Sequence, residues 1–146
     1  MTTPRGLRNC NPGNIEWGAF ARGMGATGTD GRFAIFPTMA AGICALSRLL
    51  LVYYEKPLTN RIDTIREAIN RWAPSSENDT SAYVMAVCQL TGLGPDAVLD
   101  FRDFPTLYWL TVAIGEHENG HDAFSRAVSD AELDVGVHRA LAWGAK

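Results

Sequence analysis

The segment Ile114-Gly115-Glu116-His117-Glu118-Asn119-Gly120 places two carboxylates and an imidazole at the end of a strongly apolar stretch. Acids at a helix C-terminus face the negative end of the macrodipole, so their position there is locally unfavourable. A carboxylate near such an end, partly enclosed by apolar neighbours, is expected to hold its proton more tightly than one in water. A general acid working near neutral pH needs that property. Helical phase separates the two acids. Glu118 shares a face with Ile114 and Leu110, whereas Glu116 is rotated from it by about 160° and is expected to face water. Glu118 is the candidate acid.

The same residues also match a metalloprotease pattern, since His117-Glu118-Asn119-Gly120-His121 has the spacing of a zinc-binding helix. Gly120 reads as the end of the helix, directly before the second histidine, and a third ligand is required. His138 is the only other histidine. A zinc-dependent hydrolase is a lesser alternative, and the reading expects neither a metal nor another cofactor. Cys10, Cys44 and Cys88 are widely spaced and odd in number, which suits neither a metal pair nor a disulfide framework. Cys44 and Cys88 fall inside apolar helical patterns as small buried hydrophobes, consistent with folding in a reducing cytoplasm.

The elements that must carry Glu118 are mostly helices. Residues 5–32 are rich in Gly and Asn and read as turns and loop, with a short extended piece at Ile15–Trp17. Residues 32–36 alternate and read as a second short strand ending at Pro37. Thr38 caps a helix with Ile43, Leu46, Leu50 and Tyr53 or Tyr54 on its inner face. A second helix is expected from about Asp63 to Trp72, stopped before Pro74. Asp79 caps a third, with Tyr83, Val84, Val87 and Leu90 inward and Gly92 as its end. Pro105 opens the apolar helix that runs to Asn119, and Ser129-Asp130-Ala131-Glu132 opens a last one to about Trp143. Five helices and a strand pair make a mostly α, α+β domain.

A chain of 146 residues fits one domain, large enough to bury an ordinary core without covalent staples. With 47% hydrophobic and 20% charged residues it has the composition of a soluble globular protein. A formal charge of -3 supplies no basic field, which disfavours nucleic acid as a main partner. An anionic polymer would have to be recognised by a shaped cleft. No apolar signal region opens the chain, and no stretch is long and apolar enough for a transmembrane segment. Any target outside the cytoplasm requires delivery by other machinery.

Glu118-Asn119-Gly120, with the apolar helix before it and Ala123-Phe124-Ser125 after it, resembles the catalytic-glutamate segment of lysozyme-like transglycosylases and bacterial glucosaminidases. Arg5-Gly6-Leu7-Arg8-Asn9-Cys10-Asn11-Pro12-Gly13-Asn14-Ile15 resembles the opening of a phage family known as structural protein P5 or lytic-transglycosylase-like. Phe33-Ala34-Ile35-Phe36, Arg71-Trp72-Ala73-Pro74 with the Glu77–Thr80 loop, and Tyr83 are similar to later parts of that family. The likeness spans residues 5–124, and its Asn-Pro-Gly-Asn and Glu-Asn-Asp-Thr segments are its specific parts. Cys10 stands where the family usually has a third asparagine, and Pro37 replaces a usual polar residue. In the glucosaminidases the glutamate segment comes before the Asn-rich one, whereas here it comes last. The resemblance therefore implies a circularly permuted lysozyme-like fold.

The resemblance implies Glu118 as the acid that protonates a glycosidic oxygen, and Tyr83 as a catalytic tyrosine lining the cleft near the cleaved bond. It implies Asn11, Asn14 and Ile15 as the edge on which sugar acetamido groups dock. Glu77 and Asp79 are read either as further substrate-binding carboxylates or as capping groups, with Asp79 the natural helix cap. Trp17, Phe33 and Trp72 offer sugar-stacking faces or core packing. The expected function is a lytic transglycosylase or muramidase acting on peptidoglycan, monomeric and without a cofactor. The alternative is a phage virion structural or wall-binding protein without catalysis. Synthesis in the bacterial cytoplasm and action in the periplasm or cell wall would follow, with delivery by a phage lysis system, a virion or a secretion apparatus.

Overall fold

A computed structural model describes residues 2–74 and 79–144. The fold is mostly helical with a small two-stranded antiparallel sheet. In chain order its elements are α1 (Arg5–Arg8), α2 (Ala19–Gly23), β1 (Gly28–Thr29), β2 (Ala34–Ile35), α3 (Met39–Tyr54) and a 3₁₀ turn at Leu58–Asn60. They continue with α4 (Ile65–Trp72), α5 (Thr80–Thr91), α6 (Phe104–Asn119), α7 (His121–Ala127) and α8 (Asp130–Leu141).

Side-chain caps set most of the long helices. The Thr38 hydroxyl accepts from the Ala41 N–H at 3.1 Å at the start of α3, and Asp79 accepts from the Ala82 N–H at 3.1 Å at the start of α5. Each satisfies an amide that has no partner within its helix. Asp103 caps α6, with Pro105 in its first turn where no N–H is needed. Ser129 and Glu132 close a reciprocal capping box on α8. Gly92, at φ 74°, ends α5 in the left-handed conformation.

Differences from the sequence reading lie in the short pieces. Residues 5–32 hold α1 and α2 as well as turns, and α7 follows directly on Gly120. Segments of four to seven residues are too short to show a helical period. Helix α4 starts at Ile65, capped by Thr64, and α8 stops at Leu141, leaving Trp143 exposed. The ladder pairs Gly28 with Ile35 and Thr29 with Ala34, while the Ile15–Trp17 piece joins it only through a Glu16–Phe33 bridge. Leu90, expected inward, is exposed, and Cys88 takes the inner position beside Val84 and Val87.

Helix α6 runs through the interior, with Leu107, Leu110 and Ile114 at most 1% exposed, and it packs against α1, α3, α5, α7 and α8. The buried hydroxyls of Ser47 on α3 and Thr111 on α6 satisfy each other at 2.8 Å. The most extensive helix pairing is α3 with α8. It is close because Gly136 lies on Ile43, whose Cγ2 would be 2.5 Å from any added Cβ. Gly42 on the same helix faces the Cys10 carbonyl even more tightly. Among the described residues no helix is long and apolar enough to cross a membrane.

These contacts predict an ordering. Gly136→Ala should cost about 1–3 kcal/mol, the usual range for overpacking, because the Ile43 Cγ2 can rotate while the Ile43 Cβ and the Ala40 carbonyl, at 2.7 and 3.0 Å, require only a small separation of the helices. Gly42→Ala should cost more, because its obstacle is backbone. Denaturant unfolding of both variants checks the ordering, and equal midpoints would contradict it.

Candidate active site

Glu118 occupies the last turn of α6, and its position is set from the neighbouring residue. The Asn119 side-chain amide, on the buried side of that turn, donates to the Pro12 carbonyl at 2.8 Å and to the Gly115 carbonyl at 2.9 Å. The second bond satisfies a late helical carbonyl; the first fastens the Asn-Pro-Gly-Asn loop to the helix end. Gly6 permits this approach, since a Cβ there would lie 2.6 Å from Asn119 Oδ1 and 3.0 Å from Asn14 Oδ1. Asn14 is left-handed at φ 49°, a conformation asparagine tolerates better than most residues. From there its amide donates to Glu118 Oε1 at 2.8 Å.

Tyr83, on α5, approaches the same carboxylate from within the protein. It is 2% exposed, and its enclosed hydroxyl completes no hydrogen bond of full geometry. Burial first, and then the adjacent Glu118 charge, push its proton affinity far above that of an ordinary phenol. The protonated phenol is thereby favoured beside Glu118. The His117 ring stacks on the Tyr83 ring, with centroids 3.8 Å apart.

Outside Glu118 opens a cleft of about 680 Å³. Gly13, Asn14 and Ile15 form one wall, Phe33 with the ion pair Glu16–Arg32 another, and Tyr53, Trp72 and Pro74 a third. The Phe33 turn is pinned by Asp30, which accepts from the backbone N–H groups of Arg32 and Phe33 and from the Asn9 amide. Those bonds, led by the Arg32 amide, hold the Asp30 carboxyl at about 2.

Of the residues singled out in the sequence, Glu118, Asn14 and Ile15 line the cleft, as do Phe33 and Trp72. Asn11 does not reach it. It is fully buried, donating to the carbonyls of Ile15 and Ala34 and accepting from the Ile15 N–H, so it shapes the loop rather than the cleft surface. Ile15 contributes its side chain, since its carbonyl and N–H are taken by Asn11 and Ala34. Tyr83 sits behind Glu118 instead of lining the cleft. Asp79 is the cap of α5, Trp17 lies outside the cleft under Arg22, and Glu77 falls outside the described residues. Sequence reasoning missed Asn119, Glu16, Arg32 and Tyr53. The position of Asn119 next to the acid was the one available signal.

The chain is 34% identical to Protein P5 of Pseudoalteromonas phage PM2 over 125 residues, 83% of this chain and 74% of the phage protein. This chain belongs to the Protein P5 family. No family model matches it. The Cys10 position is left-handed, at φ 50°, a conformation that asparagine tolerates better than cysteine.

The remaining polar residues of the segment are used locally. Gly120, at φ 87°, breaks the helix, and His121 begins α7 instead of continuing the α6 face. Its Nδ1 meets Glu116 Oε1 at 2.6 Å. Glu116 thus does not face water freely; its side chain is 16% exposed and paired with His121. His117, Glu118 and His121 do not converge, and among the described residues no group of three such side chains could hold a metal ion.

The Glu116 hydrogen bond, and then its charge, raise the His121 pKa above its ordinary 6.5. A raised folded value means this contact stabilises fully below the unfolded pKa and is lost as pH rises through the folded one. An NMR titration should place the His121 midpoint above 6.5 and return it toward that value in Glu116→Gln. An unchanged midpoint in the variant would refute the pairing.

Proposed function

We propose that this phage P5-family protein cleaves the glycan strands of bacterial peptidoglycan, with Glu118 as general acid and then base. The observation that carries the reading is a carboxylate at an apolar helix end, opening into a cleft of about 680 Å³ and oriented by the Asn14 amide at 2.8 Å. The volume is of the size that binds extended ligands. Trp72 provides a face for a sugar ring, and the buried Tyr83 hydroxyl stands beside the charge that appears when Glu118 gives up its proton. The Asn14–Glu118 bond also joins the two segments whose order is exchanged relative to the glucosaminidases, which supports a circularly permuted lysozyme-like arrangement.

Among the described residues the other carboxylate lining the cleft, Glu16, is tied to Arg32 at 2.9 Å. A reaction that needs no second free carboxylate fits this best. Glu118 protonates the oxygen between N-acetylmuramic acid and N-acetylglucosamine, and the C1–O bond breaks. The Glu118 carboxylate then takes the proton of the muramic 6-hydroxyl as its oxygen bonds to C1, closing an anhydro ring without water. This is the lytic transglycosylase outcome. A muramidase would instead need a base to activate water, and among the described residues Glu16 is the other carboxylate that lines the cleft. Such a protein would be made in the bacterial cytoplasm and act in the periplasm or wall after delivery by a phage lysis system, a virion or a secretion apparatus.

Glu118→Gln should lower turbidity loss on purified walls by at least about 10²-fold, the lower end for loss of a general acid. Asn14→Ala should lower it by a smaller factor, because it misplaces the acid without removing it. Full activity of Glu118→Gln would sink the assignment. Mass spectrometry should find anhydro-muramyl ends, undiminished in Glu16→Gln; hydrolysed ends that vanish in Glu16→Gln would show a muramidase. Membership of a phage protein family is also compatible with one other reading, a virion or wall-binding protein without catalysis. Equal wall binding by wild type and Glu118→Gln, with no fragments from either, would establish that one.

A further inference from the structure

The far end of α6 carries a second surface that the cleft chemistry does not use. Fourteen residues separate Phe104 from Glu118 along the helix, about 21 Å at the usual rise. There Phe104, Pro105, Tyr108 and Trp109 from α6 meet Asp130 and Asp134 from α8 around an open depression of about 620 Å³. Phe104 and Tyr108 have ring centroids 5.7 Å apart, Tyr108 and Trp109 5.2 Å apart, and Trp109 is 48% exposed.

What this surface lacks is the informative point. The Trp17 and Phe33 rings are covered by the chain's own guanidinium groups, Arg22 on Trp17 and Arg5 and Arg32 on Phe33. Among the described residues no Lys or Arg covers Tyr108 or Trp109, and none pairs with Asp130 or Asp134. The nearby His138 is spent on Phe104, stacked at 4.3 Å, and stands 3.5 Å from one Asp134 oxygen. Both aspartates lie close enough to act on the Tyr108 hydroxyl. Electron-rich ring faces beside two carboxylates attract a cation from both sides.

We propose that this depression binds a Lys or Arg side chain presented by another protein. The depression is shallow and open, which suits a side chain entering from a larger body better than a free small molecule, whose sites are enclosed. Exposed Trp and Tyr beside charge are also the residues that anchor protein interfaces. The proposal is independent of the reading of the cleft.

The test is an NMR titration of the full-length protein with a hexalysine peptide, using hexaserine as control. Hexalysine should shift the Trp109 indole N–H resonance and the α6–α8 amides around it, and hexaserine should not. Trp109→Ala and Asp134→Asn, both at exposed positions, should each weaken binding at least tenfold. Trp109→Phe, which keeps a ring face, should fall between, and Glu118→Gln should bind as wild type. A thermal melt of each variant separates lost binding from lost fold. Unchanged affinity in Trp109→Ala would reduce the effect to diffuse electrostatics and overturn the proposal. So would larger Trp109 shifts with an N-acetylglucosamine oligomer than with hexalysine. Concentration-dependent self-association through this face would replace the foreign partner with a second copy and overturn it as well.

Discussion

The site depends on the amide of Asn119. One side chain at the end of α6 donates both to its own helix, at the Gly115 carbonyl, and to the Pro12 carbonyl of a loop 107 residues earlier in the chain. With that bond made, the loop lies against the helix end and Asn14 reaches Glu118. Together with the Asn14–Glu118 bond it fixes the first wall of the cleft relative to the acid. The Asn119–Pro12 bond is buried, so its loss would leave a carbonyl and an amide without water to replace either partner.

Absent side chains matter as much as present ones here. Gly6 leaves room for the Asn14 and Asn119 side chains, Gly42 lets α3 touch the Cys10 carbonyl, and Gly115 lies directly under the Phe124 ring at the start of α7. Each removes a Cβ where the N-terminal segment or α7 meets the central helices. Backbone therefore approaches backbone around the acid, and the strained left-handed residues Cys10 and Asn14 lie in the loop so held. Strain of this kind persists where the surrounding packing over-determines it.

The acid itself sits between two unlike neighbours. Asn14 supplies a full hydrogen bond from the cleft side, whereas Tyr83 offers an enclosed hydroxyl that is close but not fully bonded. A carboxylate in this setting is held in orientation on one side and has an unused donor on the other. His117 stacks on the Tyr83 ring, so its place on the helix has a packing role. Glu116 and His121 pair with each other around the Gly120 break. The local zinc-like spacing is thereby divided among three separate tasks.

Much of the fold was legible in the sequence because long amphipathic helices announce themselves through periodicity, and their ends through caps. Thr38, Asp79, Pro105, Gly120 and the Ser129–Glu132 box all stand where the sequence placed them, whereas Glu116, expected in water, is half-buried like Glu118. Short elements were not legible: α1, α2 and α7 are below one period of reliable pattern, and the Glu16–Phe33 bridge is a single contact. Asn11 and Asn14 looked alike as loop asparagines, yet one is fully enclosed and the other reaches the acid. Residue type and spacing are local properties, so the sequence by itself determined the five long helices, most of their caps and which residue to test as the acid. Which asparagine meets that acid, and that Asn119 holds the loop to it, depend on contacts more than 100 residues apart. Only tertiary packing decided those.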